Sequence, residues 1–325
     1  MTTILSDTPS CEHPAPPIAR RQLLASSASL FGAAALNGLM PNEAAATDAM
    51  EGVVTLSDAH VFYRIEGVGE PLLMIAGFSC DLTIWDALAP LLRERFRVVR
   101  FDNRGIGRSA ISSAKTAAAP GLTVGGMAAD AASLLAALGI ERAHVLGHSM
   151  GGQIAQDLCL QTPDRVATLS LLSSWARPDA RLAWLIRLFG DLADRLGPQE
   201  YARVLLPWMF TDGAFNAAPQ AMDAAVHRWE DNPLRPTPAL LRAQGLAILA
   251  TDTSRRLQAI RTPTFVSVAA GDALTPPRLS RDLAAGIAGA VYAESDVGAH
   301  AFILDAAPGI AERLIAFLAA HPMAT

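Results

Sequence analysis

The sequence predicts an α/β domain: a mostly parallel eight-stranded sheet with helices on both faces. Three observations carry this. From Val53 onward, short apolar runs alternate with segments of helical period, the pattern of strand–helix–strand units. Hydrophobic residues make up 51% of the 325-residue chain and charged residues only 18%, enough for a packed core and too little charge for a disordered chain. Turn chemistry, Gly67-Val68-Gly69 and Asp102-Asn103-Arg104-Gly105, follows two of the apolar runs.

Residues 1–46 stand apart from this pattern. A polar, proline-bearing leader reaches Ile18 and is followed by Arg20-Arg21. A weakly apolar run from Leu23 to Met40 comes next, and Ala44-Ala45-Ala46 closes the stretch. Paired arginines, a modestly hydrophobic segment and a small-residue site resemble a twin-arginine export signal. That reading predicts an exported protein, periplasmic or secreted, with no stable membrane span after processing; the alternative is a cytoplasmic protein retaining the segment. The run carries too many serines and glycines for an apolar span of about 20 residues.

The domain proper then occupies 47–325. Strands are expected near Val53–Leu56, Val61–Glu66, Leu72–Ile75, Val98–Phe101, His144–Gly147, Ala167–Leu172, Thr264–Ala269 and Ala290–Tyr292. Helices are expected near Ile84–Leu92, Val124–Leu138, Gly151–Gln161, Pro277–Gly286 and Pro308–Ala320, with a small-residue loop over Ala110–Gly121. Between about 175 and 260 no strand is convincing, and the stretch reads as a helical cap inserted over the sheet. It holds Trp175, Trp184, Trp208 and Trp229 beside Met209, Phe210 and Phe215. Most of these should pack the insertion itself and some should line a pocket beneath it, favouring an apolar or aromatic substrate group.

Several function classes are excluded. A net charge of −5 argues against nucleic-acid binding, which needs a basic face. Cys11, Cys80 and Cys159 show no metal-ligand spacing and cannot form a disulfide scaffold. A single Cys80–Cys159 disulfide stays open after export, although a small buried side chain is the expected role of Cys80. Gly105-Ile106-Gly107-Arg108-Ser109-Ala110 formally fits a dinucleotide fingerprint, but a loop and not a helix follows it. No metal or other cofactor is expected.

The chemistry-bearing segment is His144-Val145-Leu146-Gly147-His148-Ser149-Met150-Gly151-Gly152. A strand runs into Gly-x-Ser-x-Gly and a helix follows at once, the context of a nucleophile elbow. Ser149 must sit on a strained turn to expose its hydroxyl, and chain passes so close that 147 and 151 need to lack a Cβ. A serine needs a base, and three of the seven histidines follow it. His227 lies inside the insertion and His321 at the C-terminus. His300 lies on the loop before the last helix, and is the expected base. Asp272, at the carboxyl end of the Thr264–Ala269 strand, is the expected acid, with Asp296 competing. Thr275 is expected to N-cap the following helix. An oxyanion hole would combine the N–H groups of Met150 and Phe78, with Gly77 giving close backbone access.

These motifs resemble the α/β-hydrolase superfamily of serine hydrolases. The resemblance rests on Ala76-Gly77-Phe78, Phe101 to Ser109, Gly147 to Gly152, Gly271-Asp272 and Ala299-His300, in the family's order from Val53 to the end. Asp81-Leu82, Trp85-Asp86 and Leu206-Pro207-Trp208-Met209-Phe210 look most like the enol-lactonase and small-ester hydrolase branch. Ala76 departs from the histidine many members carry, leaving the backbone donor in place. A serine at 149 argues against dehalogenases and epoxide hydrolases, whose nucleophile is aspartate. The resemblance implies cleavage of a carboxylic ester or lactone through an acyl-enzyme. Cofactor-free perhydrolysis, haloperoxidase-type chemistry and C–C bond hydrolysis would use the same triad, and a non-catalytic ligand receptor would predict a broken one. The sequence does not set the oligomeric state.

Overall fold

In a computed structural model the structure describes residues 49–109 and 122–323. The export reading of residues 1–46 and the small-residue loop over 110–121 lie outside the described residues.

Eight strands form one sheet: β1 (Met50–Thr55), β2 (His60–Glu66), β3 (Glu70–Ile75), β4 (Phe96–Phe101), β5 (Ala143–His148), β6 (Val166–Leu172), β7 (Thr264–Ala269) and β8 (Val291–Ser295). Their spatial order is β1-β2-β4-β3-β5-β6-β7-β8. β2 is antiparallel to both β1 and β4, and every other neighbouring pair is parallel. Every strand expected from the sequence is present, and β8 runs on to Ser295.

Side-chain alternation along the central strands divides the core in two. Leu73, Ile75, Val99, Val145, Leu169 and Val266 face helices α2 (Val124–Ala137) and α3 (Met150–Gln161). Leu72, Met74, Val98, Leu146 and Phe265 face α1 (Ala89–Leu92) and α11 (Ala307–Ala319). Parallel strands covered on both faces are apolar along their whole length.

Five helices fill the stretch between β6 and β7: α4 (Ala180–Ala193), α5 (Pro198–Met209), α6 (Asp212–Ala217), α7 (Pro219–Asp231) and α8 (Pro238–Ala250). α9 (Pro277–Gly286) and the short α10 (Phe302–Asp305) complete the helices. Among the described residues no helix is long and apolar enough to cross a membrane.

One helix expectation needs correction. The single helix over Ile84–Leu92 is instead a 3-10 turn, Leu82–Trp85, followed by α1. Asp81 caps the turn through the Thr83 N–H at 2.9 Å, and Pro90, which has no N–H, falls in the first turn of a new helix. The C-terminal helix forms where expected, over Ala307–Ala319, and the short α10 precedes it directly after the His300 loop. Cys80 and Cys159 are both free thiols, and Cys159 Sγ lies 3.2 Å from Thr262 Oγ1.

Candidate active site

The carboxyl ends of β5, β7 and β8 bring together three residues far apart in the chain. Ser149 leaves β5 with φ 57° and ψ −123°, a conformation costly for a residue with a Cβ. It persists because the surroundings over-determine it. The Ser149 N–H donates to Leu172 O at 2.8 Å, and Ser174 Oγ donates to Ser149 O at 3.0 Å. A Cβ at Gly151 would overlap the Ile75 carbonyl, and one at Gly147 would overlap the Gly151 backbone. The glycines on either side of Ser149 are therefore steric requirements of the turn.

Ser149 Oγ lies 2.9 Å from His300 Nε2, and His300 Nδ1 lies 2.9 Å from Asp272 Oδ2. All three residues are buried. Asp296 is exposed, His227 pairs with Glu230 at 3.8 Å, and His321 bonds the Phe317 carbonyl. Burial pushes the Asp272 carboxyl up, but the His300 charge and the donors around it outweigh burial and hold it below the usual carboxylate range. A hydroxyl bonded to an imidazole whose other nitrogen meets a buried carboxylate can lose its proton to the ring as it attacks a carbonyl.

Thr275 is not the N-cap expected from the sequence, since α9 starts at Pro277 and Pro276 precedes it. Its N–H donates to Asp272 Oδ1 at 2.7 Å, and its single hydroxyl proton faces two acceptors, Asp272 Oδ2 at 2.8 Å and Ser173 O at 3.1 Å. Proximity to a carboxylate outcompetes capping here, because a charged acceptor makes the stronger hydrogen bond. Thr275 Oγ1 is also 3.0 Å from His300 Nδ1.

His148 has a role that no sequence pattern marks. Its Nε2–H donates to the His300 carbonyl at 2.8 Å. A carbonyl only accepts, so Nε2 carries the hydrogen and Nδ1 is bare. Burial, together with the neighbouring His300, pushes the ring down to about 3, so His148 is neutral at ordinary pH. The motif from Phe101 to Ser109 is structural: Asp102 accepts the Leu82 N–H at 2.8 Å and the Arg108 N–H at 2.7 Å. Asn103 Nδ2 donates to Ala76 O at 2.9 Å and so fixes the end of β3.

Phe78 lies in a turn after β3, and Met150 opens α3, where the first N–H groups have no partner within the helix. Cys80 is half-buried beside this turn, and burial with the nearby Asp81 pushes its thiol up to about 12. Such a thiol is a poor nucleophile.

A cavity of about 210 Å³ opens on Ser149 and His300. Its walls come from both the sheet and the inserted helices, including Leu182, Ile186, Phe189, Leu206, Phe210 and Trp229. Among the described residues no Asp, Glu, Lys or Arg lines it. Of the tryptophans, Trp175 and Trp229 reach the cavity, Trp208 packs edge-on against Phe189 at 6.4 Å, and Trp184 is exposed.

The family model described as "alpha/beta hydrolase fold" matches residues 70–306. RutD of Azorhizobium caulinodans, named for carbamate hydrolysis, is 34% identical over 251 residues, spanning 75% of this chain and 89% of that protein. The enol-lactonase from Burkholderia xenovorans LB400 superposes with a TM-score of 0.73 at 25% identity, covering 82% of this chain and 100% of that one. A thermophilic esterase from Thermogutta terrifontis gives 0.72 at 25% identity, covering 85% and 100%. With this sheet order, this elbow and a match over most of the domain, the chain belongs to the α/β-hydrolase family and is a hydrolytic enzyme.

Proposed function

We propose that the enzyme cleaves an uncharged carboxylic ester or lactone bearing an apolar group, through an acyl-enzyme on Ser149. The observation that carries the substrate class is the cavity wall, apolar and, among the described residues, free of formal charge beside the Ser149–His300–Asp272 chain. At about 210 Å³ it is smaller than the roughly 300–1,000 Å³ of sites for drug-sized ligands, which suits a small ester. The carbamate hydrolase, enol-lactonase and esterase named above are consistent with attack at an acyl carbon bonded to a heteroatom.

In this reading His300 Nε2 takes the Ser149 proton as Oγ bonds to the carbonyl carbon. The N–H groups of Phe78 and Met150 hold the oxyanion. The C–O bond breaks and the same proton passes to the leaving alkoxide, which in a lactone stays tethered as a hydroxyl. Water then gives a proton to His300 and attacks the acyl carbon, and the proton returns to Ser149 Oγ as the acid departs. Asp272 keeps the ring in the tautomer with hydrogen on Nδ1 and stabilises the imidazolium.

The test is hydrolysis of short p-nitrophenyl esters with fluorophosphonate labelling. Ser149→Ala should lower kcat by roughly 10⁴- to 10⁶-fold and abolish labelling. Equal rates in the two proteins would sink the assignment. An otherwise matched ester with a carboxylate on its acyl chain should be a far poorer substrate, and equal turnover of the two would refute the uncharged class. The Arg20-Arg21 leader supports export; N-terminal sequencing of the mature protein should find Met1 missing, and its retention would refute export.

A further inference from the structure

The turn that carries Phe78 has an unusual backbone for its sequence. The Cys80 N–H bonds the Gly77 carbonyl at 3.3 Å, closing a four-residue turn with Phe78 and Ser79 at its centre. Ser79 has φ 63°, while Phe78 is not among the positive-φ residues. Positive φ at the third position alone defines a type II turn, where glycine or asparagine is the rule. With an ordinary residue such as serine there, the type I form with negative φ is favoured by a factor of about 10.

An inserted helix opposes that preference. Gln244 Oε1 of α8 accepts the Ser79 N–H at 2.9 Å, across 165 positions of sequence. That N–H belongs to the central peptide of the turn, the unit whose orientation differs between types I and II. The acceptor is enclosed by packing, while Nε2 of the same amide has no hydrogen-bond partner among the described residues. Gln244 is fully buried, and Gly245 beside it lets α8 approach α4 so closely that a Cβ there would meet Ile186 Cγ2 at 3.2 Å. One turn back, Leu241 belongs to the cluster against which the Phe78 ring packs. One turn forward, Ile248 lines the cavity. A single helix face thus reaches the cavity, the cluster that holds the Phe78 side chain and the Phe78–Ser79 peptide. Asn103 holds the start of the same segment at Ala76 O.

We propose that Gln244 is a positioning residue that holds the Gly77–Cys80 turn in its strained type II form and thereby keeps the Phe78 N–H aligned for the oxyanion. This rests on the proposed role of Phe78. Without the Gln244 acceptor, the Phe78–Ser79 peptide rotates toward type I and the adjoining Phe78 N–H loses its fixed direction. The coupling also makes oxyanion stabilisation depend on correct seating of the inserted helices.

Gln244→Leu keeps the volume of the side chain and removes the acceptor. It should lower kcat on p-nitrophenyl esters and the rate of fluorophosphonate labelling about tenfold, with KM within about twofold. Adding Ser79→Gly should restore most of the loss, because glycine holds positive φ without strain. Thermal melts of both variants identify any that fail to fold. If Gln244→Leu does not fold, Gln244→Glu retains the acceptor oxygen and should retain turnover, and its loss of turnover in a folded protein refutes the proposal. A folded Gln244→Leu with unchanged kcat, a loss confined to KM, or a loss that Ser79→Gly fails to restore would each overturn it. Ser149→Ala separates the two ideas. If it leaves turnover intact, the hydrolase reading fails; if it abolishes turnover while Gln244→Leu is silent, only the positioning role fails.

Discussion

Mild acid should destabilise this protein through one buried side chain. His148 donates to the His300 carbonyl and is neutral, with its ring pushed from 6.5 down to about 3 by burial and by the neighbouring His300 charge. The unfolded chain binds a proton at this position near pH 6.5, whereas the folded protein does not until about pH 3. Acid therefore favours the unfolded state across that window, and stability falls as pH drops through 6.5. The two values put the loss between pH 7 and pH 5 at about 2 kcal/mol from His148 alone. His148→Gln can keep a donor for the carbonyl and cannot titrate. Urea unfolding of both proteins at the two pH values isolates the effect. His144, also depressed by burial, contributes equally to both and cancels. Wild type should lose about 2 kcal/mol more than the variant, and equal losses would show that position 148 is not a buried, uncharged imidazole.

Two further outcomes follow from the packing. Arg100 is buried with one guanidinium nitrogen 2.6 Å from Glu66 and another 2.6 Å from Asp86. Among the described residues, Arg100→Met leaves the buried Glu66 carboxylate with only Arg93, 4.0 Å away, and should cost about 3 kcal/mol in urea unfolding; a loss under about 1 kcal/mol would mean the pair behaves as a surface one. Thr275→Val removes the hydroxyl that faces Asp272 while sparing the backbone donor. It should lower kcat about tenfold with KM within about twofold, and unchanged ester turnover would show that the hydroxyl does not support the carboxylate in the reaction.

Legibility of this chain in its sequence depended on how local each cause was. All eight strands could be read because strands covered on both faces show as apolar runs between turn residues. Ser149 was readable because its strain demands small neighbours in a fixed pattern, at 147 and 151. His300 and Asp272 followed from strand order, and the 2.9 Å contacts agree with that order. Helix ends fared worse. The break between Leu82–Trp85 and α1, and the presence of the short α10 before α11, depend on where single residues find partners. Thr275 differs for the same reason: next to two prolines it looks like a cap, yet its hydroxyl faces the Asp272 carboxylate and the Ser173 carbonyl.

What the sequence determined by itself was the sheet, the elbow and the residues that meet at its carboxyl edge, because periodicity and steric demand act over a few residues. What only the tertiary structure decided was how those residues are held. The His148 bond to the His300 backbone joins positions 152 apart, and the Gln244 bond to Ser79 joins positions 165 apart. A glutamine on a helix or a histidine before a serine carries no local pattern that names its partner. The apolar cavity wall is likewise a property of side chains from α4, α5, α7 and the sheet converging in space. Local propensity selects the elements; burial, which leaves each polar group few partners, selects the pairings.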